Sequence, residues 1–217
     1  MKNKIAIIAD IIDSKKISSD KRKAVQNKIN FILEDINLKY KNDIESKFVI
    51  TLGDEFQGVL NSSKNLFKIL DTIQLKLDSI NLRFGIGIGE IYTDINPYAA
   101  IGADGPAYHK ARICINELKK LKKKEQNILI EGNNKKLTNL FNLQLFWIND
   151  CFLNWSSLQK EVVKIKFFDD SITQSIIASK LKIDQSLVSR TIKAAKYDKY
   201  MASENAIIDL INMEYNL

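Results

Sequence analysis

Two apolar stretches that meet at a Gly-Asp pair constrain the fold of this chain more than any other feature. Residues 49–52 lead into Gly53 and Asp54, and apolar character returns over residues 56–60. A glycine beside an acidic residue between two apolar runs is a strong β-hairpin signal, because the tight turn needs a residue that tolerates positive φ. The sequence therefore predicts two antiparallel strands with adjacent carboxylates, Asp54 and Glu55, at the hairpin tip.

A second apolar run covers residues 4–12 and ends in an acidic segment. Near-continuous hydrophobicity over this length is typical of a strand buried on both faces. Asp10 and Asp13 stand at its end. They are candidates to complete a metal site with the carboxylates of the hairpin, because Mg²⁺ binds through one or two carboxylates plus phosphate oxygens.

The first 131 residues alternate between extended and helical patterns. After the first strand, the apolar spacing and the capping residues predict a helix over 20–40, the hairpin, a helix opened by Ser62 or Ser63, a strand over 81–92, a helix from Pro106 and a strand at 128–130. Strands and helices in this order indicate an α/β (α+β) domain built on a ferredoxin-like, split βαβ layer.

Three glycines alternate within the predicted strand over 81–92. Gly85, Gly87 and Gly89 fall on one face of that strand. Glycine inside a strand loses packing and entropy, so three in alternation indicate that another group approaches closely. That group is either a helix packed tightly on the sheet or a ligand that passes over it, and the sequence leaves both open.

The charge of the chain is compatible with nucleic acid or nucleotide binding. Its formal net charge is +7 and its pI is about 9.2. Much of the excess lies in the lysine cluster at 119–124, which is either a solvated helix end or a patch that contacts phosphate. No apolar run approaches the ~20 residues that span a bilayer, and no signal peptide is evident. We therefore expect a cytoplasmic protein with no membrane partner.

Three segments taken together resemble the motifs of the nucleotidyl cyclase superfamily. They are Asp10-Ile11-Ile12-Asp13, Gly53-Asp54-Glu55-Phe56 and residues 83–90. Class III cyclases and GGDEF-type diguanylate cyclases share this palm-like fold. In the order and type of its segments the whole chain also resembles the SatD family of bacterial proteins. The cyclase resemblance covers residues 4–131 and implies a palm domain at 1–131.

The resemblance also implies a site where Mg²⁺ or Mn²⁺ is held against a triphosphate. By position, the metal ligands are Asp10, Asp54 and the carbonyl of Ile11. Glu55 is an alternative ligand, and Asp13 stands outside the direct ligands. Two metals in such a site would activate a ribose 3′-hydroxyl for in-line attack.

The helix after the third motif departs from the cyclase pattern. Cyclases carry a transition-state asparagine followed four residues later by arginine. Arg112 matches that catalytic arginine, but Tyr108 or His109 stands at the asparagine position. Leu52 also replaces the first glycine of the diguanylate cyclase motif. These departures favour a domain that binds a nucleoside triphosphate or a cyclic nucleotide without cyclising it.

The C-terminal third has a different character. Residues 132–154 are predicted to be an irregular connector, and residues 155–217 an all-helical domain. Residues 173–192 resemble a helix-turn-helix of the phage-repressor kind, with small Ala178 at the helix crossing. Lys182 stands in the turn where glycine usually eases positive φ.

The second helix of that motif is predicted to start near Gln185 and to face double-stranded DNA. The residues it would expose are Gln185, Ser186, Ser189, Arg190 and Lys193. Glutamine and arginine can make bidentate contacts to adenine and guanine, and lysine suits phosphate. The alternative is a three-helix dimerisation module with a solvated basic face.

Three functional hypotheses follow from the sequence. The first is a DNA-binding regulator, expected to be a homodimer, whose palm domain senses a nucleotide with a divalent metal. The second is an active nucleotidyl cyclase or nucleotide polymerase with a DNA-binding tail. The third is a pair of assembly modules. The residues at positions 108 and 109 favour the first over the second, and the acids at 10 and 54 argue against the third.

Overall fold

The computed structural model divides into two compact units. The residues it describes are 2–78, 80–121 and 126–217. The first unit comprises Met1–Phe146 and Ile207–Leu217, and the second comprises Trp147–Ala206. Within the described residues, no helix is both long and apolar enough to cross a membrane.

The first unit is built on a five-stranded sheet. In chain order the strands are β1 (Lys4–Ile11), β2 (Ile44–Leu52), β3 (Glu55–Leu60), β4 (Leu82–Gly89) and β5 (Ile128–Glu131). Their order in space is β2-β3-β1-β4-β5, with β1 antiparallel to both of its neighbours and β5 parallel to β4. The first four strands therefore have the ferredoxin-like arrangement that the sequence predicted, and the fold-class prediction is confirmed.

The described residues of the two units contain eight α-helices. They are α1 (Ser19–Lys39), α2 (Leu66–Leu77), α3 (Pro106–Lys120), α4 (Lys135–Leu153), α5 (Ser157–Phe168), α6 (Gln174–Leu181), α7 (Gln185–Ala194) and α8 (Tyr197–Tyr215). A single 3₁₀ turn, Ser14–Lys16, lies between β1 and α1. Pro106 is at the first position of α3 as predicted, where its missing N–H breaks no helical hydrogen bond.

The predicted hairpin is present, and β1 is buried along nearly its whole length. Gly53 has a φ of +36°, which is the positive value that the tight turn requires. Seven consecutive residues of β1, Ile5–Ile11, are buried, so both faces of this central strand are covered, and this explains its unbroken apolar run.

Helix α3 accounts for the alternating glycines of β4. A Cβ on Gly87 would overlap the carbonyl oxygen of Ala107 and lie 2.5 Å from the amide nitrogen of Ala111. At Gly85 it would lie 2.7 Å from a side-chain carbon of Ile115. Of the two alternatives, tight helix packing is therefore the correct one. The apolar layer between α3 and the sheet includes Ala6, Ile8, Val59, Ala107, Ala111 and Ile115.

Two predictions about helix positions were wrong. The N-cap of α2 is Asn65, because Ser63 is buried and its hydroxyl lies 2.6 Å from the side-chain oxygen of Asn212 instead. Residues 132–154 are not an irregular connector, since most of them form α4. That helix buries Phe141, Leu145 and Ile148 at helical spacing, a pattern that the intervening asparagines obscured.

The division into units also differs from the predicted boundary at residue 155. The end of α8 belongs to the first unit. There the backbone amide of Asn134 donates a hydrogen bond to the hydroxyl of Tyr215 at 3.3 Å. The side chain of Asn3 donates another to the backbone carbonyl of Tyr215, also at 3.3 Å. These contacts are remote in sequence, so composition gave no sign of them.

In the second unit, α6 and α7 are joined by a three-residue turn at the predicted place. Ile177, Ala178 and Val188 are buried between the helices. Lys182 adopts the left-handed conformation, at φ 55°, and its N–H closes α6 on Ser179 at 3.3 Å. A non-glycine residue in this conformation costs about 1–2 kcal/mol, which the surrounding core must offset.

Candidate functional site

A row of charged residues crosses the sheet where β1 ends. Asp10 is in register with Glu55 of β3 on one side and with Arg83 of β4 on the other. Residues opposite each other on neighbouring strands point to the same face. The alternation along β1 places Asp10 on the same face as Ala6 and Ile8, which is the face covered by α3.

Helix α3 adds two cations to this row. Arg112 makes a bidentate ion pair with Glu55, with N–O distances of 2.5 and 2.8 Å. Lys119 lies 2.9 Å from one oxygen of Asp10, and Arg83 lies 3.5 Å from the other. We call Asp10, Glu55, Arg83, Arg112 and Lys119 the ion-pair cluster.

The two carboxylates of the ion-pair cluster are buried, which explains why each has a cationic partner. Asp10 is 4% exposed and Glu55 is 6% exposed. A buried charge is tolerated only when it is paired and hydrogen-bonded. The hydrogen bonds to Glu55 raise the pKa of the Arg112 guanidinium, against the opposing effect of its own burial. With three cations against two carboxylates, the cluster is positive overall.

The Glu55–Arg112 pair yields a stability prediction. Replacing Arg112 with methionine should destabilise the fold by about 1–2 kcal/mol, because a buried carboxylate loses its hydrogen-bond donors. Arg112 is itself 42% exposed, so water can partly replace it and the effect stays moderate. Urea unfolding measures the change, and the double variant Glu55→Gln/Arg112→Met should recover part of it. Equal stability of Arg112→Met and the unsubstituted protein would contradict the pairing.

Asp54 lies apart from the ion-pair cluster, at the tip of the hairpin. Its carbonyl accepts a hydrogen bond from the amide of Ile11 at 3.1 Å, which ties the hairpin tip to the end of β1. The carbonyl of the preceding residue, Gly53, accepts a hydrogen bond from the side chain of Gln26 at 2.7 Å. The tip is therefore held between β1 and α1.

A pocket of about 300 Å³ opens beside the hairpin tip. It is lined by Ile11, Ser14, Lys15, Ile17, Arg22, Val25, Gln26, Gly53 and Asp54. We call it the strand-end pocket. Its walls are mainly apolar, while Lys15 and Arg22 bring two exposed cations to its rim and Asp54 brings one carboxylate. Such a combination suits a ligand that has both apolar and anionic parts.

The proposed metal ligands are divided between these two places. Asp10 and Glu55 belong to the ion-pair cluster, whereas Ile11 and Asp54 line the strand-end pocket. Within the described residues, no three His, Cys, Asp or Glu side chains are grouped so as to hold a metal. The donors are hard oxygens at adjoining strand ends and so are of the right kind for Mg²⁺, but Glu55 is fully engaged by Arg112.

Helix α3 also shows the surroundings of the proposed catalytic residue, Arg112. Tyr108, four residues earlier, is buried under the sheet, and its hydroxyl has no hydrogen-bond partner among the described residues. Burial raises the pKa of Tyr108 to about 12. His109 is exposed and lies 2.7 Å from Asp104. Neither side chain accompanies Arg112 in the way that an asparagine does in a cyclase.

Sequence reasoning gave no role in this site to the cations Arg83, Lys119, Lys15 and Arg22, although it noted Lys119 within the lysine cluster at 119–124. Lys119 follows Arg112 by seven residues, two helical turns, so helical periodicity alone would place both on one face of α3. Lys15 and Arg22 carried no recognisable signal, because the strand-end pocket forms only when α1 packs beside the hairpin. Of the lysine cluster, residues 122–124 lie outside the described residues, and Lys120 pairs with Glu117 at 2.7 Å.

The five residues proposed to contact DNA are all exposed on α7. They are Gln185, Ser186, Ser189, Arg190 and Lys193. Val188, Thr191 and Ile192 form the buried side of the same helix. The side chain of Gln185 donates a hydrogen bond to that of Gln174, at the start of α6, with a distance of 3.0 Å. The helix thus presents one continuous polar face.

The fold and the site define a palm-type α/β protein with an acidic strand end and an added helical unit. The chain belongs to the SatD family, whose pattern matches residues 4–211. The family membership predicted from the sequence is therefore confirmed. A search of the curated proteins found no match.

Several solved cyclase structures are similar to this chain. The dimeric guanylyl cyclase domain of the RhoGC fusion protein from Blastocladiella emersonii has a TM-score of 0.40 and 18% identity, covering 52% of this chain and 73% of that one. The guanylate cyclase domain of RhGC from Catenaria anguillulae, in complex with GTP, has a TM-score of 0.39 and 18% identity, and the match covers 52% of this chain and 72% of that one. A bacterial light-regulated adenylyl cyclase has a TM-score of 0.42 and 14% identity, and the match covers 59% of this chain and 75% of that one.

Proposed function

We propose that the protein is a DNA-binding regulator whose palm domain binds a nucleotide together with Mg²⁺ or Mn²⁺. The observation that carries this proposal is the exposed polar face of α7, which follows a three-residue turn after α6. In a helix-turn-helix the second helix lies in the major groove, with its N-terminal residues toward the base edges. Gln185 and Ser186 occupy those N-terminal positions.

The hydrogen bond between Gln185 and Gln174 supports a reading role for α7. A glutamine amide reads adenine with one N–H and its carbonyl oxygen. Gln174 takes up one N–H of Gln185 and leaves the second N–H and the carbonyl oxygen free. The amide is therefore oriented before DNA arrives, which lowers the entropy lost on binding.

The strand-end pocket supports nucleotide binding in the first unit. Lys15 and Arg22 at its rim suit phosphate oxygens, and its apolar walls suit a base or sugar face. Asp54, the carbonyl of Ile11 and, once released from Lys119, Asp10 would hold the metal. A bound Mg²⁺ or Mn²⁺ would neutralise phosphate charge between these oxygens. The ligand class is a nucleoside triphosphate or a cyclic nucleotide.

The ion pair between Glu55 and Arg112 favours a regulator over an active cyclase or nucleotide polymerase. A catalytic arginine has to reach the transferring phosphoryl group. Both terminal nitrogens of Arg112 are instead engaged by a buried carboxylate. Tyr108 is buried at the position where cyclases carry asparagine. A homodimer forms part of the proposal, since paired reading helices recognise two half-sites one helical turn apart.

Selection from random duplex DNA tests the proposal directly. The full chain should enrich one sequence with two related half-sites about 10 base pairs apart. The selection is run with and without a nucleoside triphosphate and Mg²⁺, and a regulator should change its affinity for the selected site between the two conditions. Mass spectrometry of the nucleotide should show no cyclic product. Enrichment of no sequence would overturn DNA reading, and a cyclic product would favour the enzyme.

Nucleotide binding gives a separate prediction. Mg²⁺ plus a triphosphate at ten times its Kd should stabilise the folded chain by about 1.4 kcal/mol, since ligand binds only the native state. Asp54→Asn should lose this gain while changing the unliganded stability little, because the half-buried Asp54 side chain lies at a turn and the substitution keeps its size. The measurement is thermal unfolding across a nucleotide series. The control is Asp94→Asn, which removes an exposed carboxylate outside the strand-end pocket. A full ligand response in Asp54→Asn would contradict the assignment.

A further inference from the structure

The two cationic partners of the Asp10 carboxylate lie at unequal distances from it. One oxygen lies 2.9 Å from the ammonium of Lys119, and the other lies 3.5 Å from the guanidinium of Arg83. The Asp10 side chain is 6% exposed, so it depends on these two partners for its charge to be tolerated. A further cation at Asp10 would be repelled by both of these partners at close range.

The two partners differ in their freedom to leave. The side chain of Arg83 is 13% exposed and is fixed on β4 beside Asp10. The side chain of Lys119 is 45% exposed and lies in the last turn of α3, where its flexible stem can turn into water. An ammonium in water recovers its hydration, so the exchange at Asp10 involves Lys119 and not Arg83.

We infer that Lys119 acts as a built-in competitor for the cation site, so that a divalent metal binds Asp10 only when the ammonium moves away. This inference rests on the proposed nucleotide and metal site. Mg²⁺ binds carboxylate oxygens at about 2.0–2.1 Å. An ammonium 2.9 Å from the same carboxylate would then face a dication within a few ångströms, where repulsion is strong in a buried place.

The competition gives the site a device for regulation. Without metal, Lys119 ties the end of α3 to the end of β1. With metal, that tie would be released. Metal binding at Asp10 would therefore change the contact that holds the end of α3 to β1. Arg112, in contrast, stays with Glu55 in both states, because that bidentate pair is buried on the carboxylate side.

Titration of the full chain with Mn²⁺ alone tests the inference. Unbound Mn²⁺ is followed by its electron paramagnetic resonance signal, at low ionic strength and without nucleotide. Lys119→Met removes the charge and keeps the length of the side chain, and it should tighten the Mn²⁺ Kd roughly tenfold. Lys119→Arg keeps the charge and should stay within about twofold of the unsubstituted chain.

The control is Lys120→Met, which removes the neighbouring exposed ammonium that pairs with Glu117. It should leave the Mn²⁺ Kd unchanged, and Lys119→Met/Asp10→Asn should lose the gain of Lys119→Met. An unchanged or weaker Kd in Lys119→Met, or equal tightening in Lys120→Met, overturns the competition and leaves the metal site standing. Absence of Mn²⁺ binding in every variant, Lys119→Met included, overturns the metal site itself.

Discussion

Replacing Gly87 with alanine is expected to destabilise the first unit by more than the ~1–3 kcal/mol that is typical of overpacking. The new Cβ would overlap the carbonyl oxygen of Ala107 and lie 2.5 Å from the amide nitrogen of Ala111. Both obstacles are backbone atoms of α3, so no side-chain rotamer can relieve the overlap. The helix would have to move away from the sheet, and its apolar layer would open.

Gly89→Ala is a matched control on the same strand and the same face. There a Cβ would come no closer than 3.1 Å, to the ammonium of Lys110, which is the end of a flexible side chain. Its cost should stay below about 1 kcal/mol, because a shift of a few tenths of an ångström is enough. Urea unfolding of both variants measures the difference. Similar free energies of unfolding for the two would show that α3 does not pack as closely as described.

Loss of Arg190 is expected to weaken binding to the selected DNA site by roughly 1–3 kcal/mol, or about 5- to 150-fold, and to relax the preference at one base pair. Arg190 is exposed on the second turn of α7, and its Nε donates to the carbonyl of Ser186 at 3.4 Å. That bond does not use the two terminal nitrogens of Arg190, which can form a bidentate contact to guanine. Binding of Arg190→Ala to the selected and to a scrambled duplex measures the effect.

Lys193 provides the contrast to Arg190. It lies nearly one turn further along α7 and is exposed, so it should meet phosphate and not a base. Lys193→Ala should weaken all duplexes alike and lower the salt slope by about 0.9, the value for one phosphate contact. A salt series on both duplexes separates the two roles. If Arg190→Ala lost the same factor on both duplexes, α7 would not be a reading helix.

Local physical chemistry determined much of the fold from the sequence. The Gly53-Asp54 turn, the apolar run of β1 and the start of α3 at Pro106 are all as predicted. Each depends on the φ preference of one residue or on a short hydrophobic period, and these are properties of the chain itself. The turn before Gln185 was equally readable, even though Lys182 takes the place of glycine.

The tertiary structure alone decided which charges meet. Asp10, Glu55 and Arg112 come from three separate elements, and their pairing depends on strand register and on how far α3 slides along the sheet. The close approach of α3 to Gly85 and Gly87 limits that position, while strand register alone places Arg83 beside Asp10.

The same distinction explains the errors. The apolar spacing of α4 was present in the sequence but was obscured by asparagines, whereas the place of the end of α8 in the first unit depends on contacts with distant residues that local composition does not reveal. The sequence by itself named the acids and the reading helix as candidates. Which acids are already occupied by cations, and which one faces an open pocket, followed only from the packing of α1 and α3 around the sheet, because an ion pair between distant residues exists only once the backbone has brought them together.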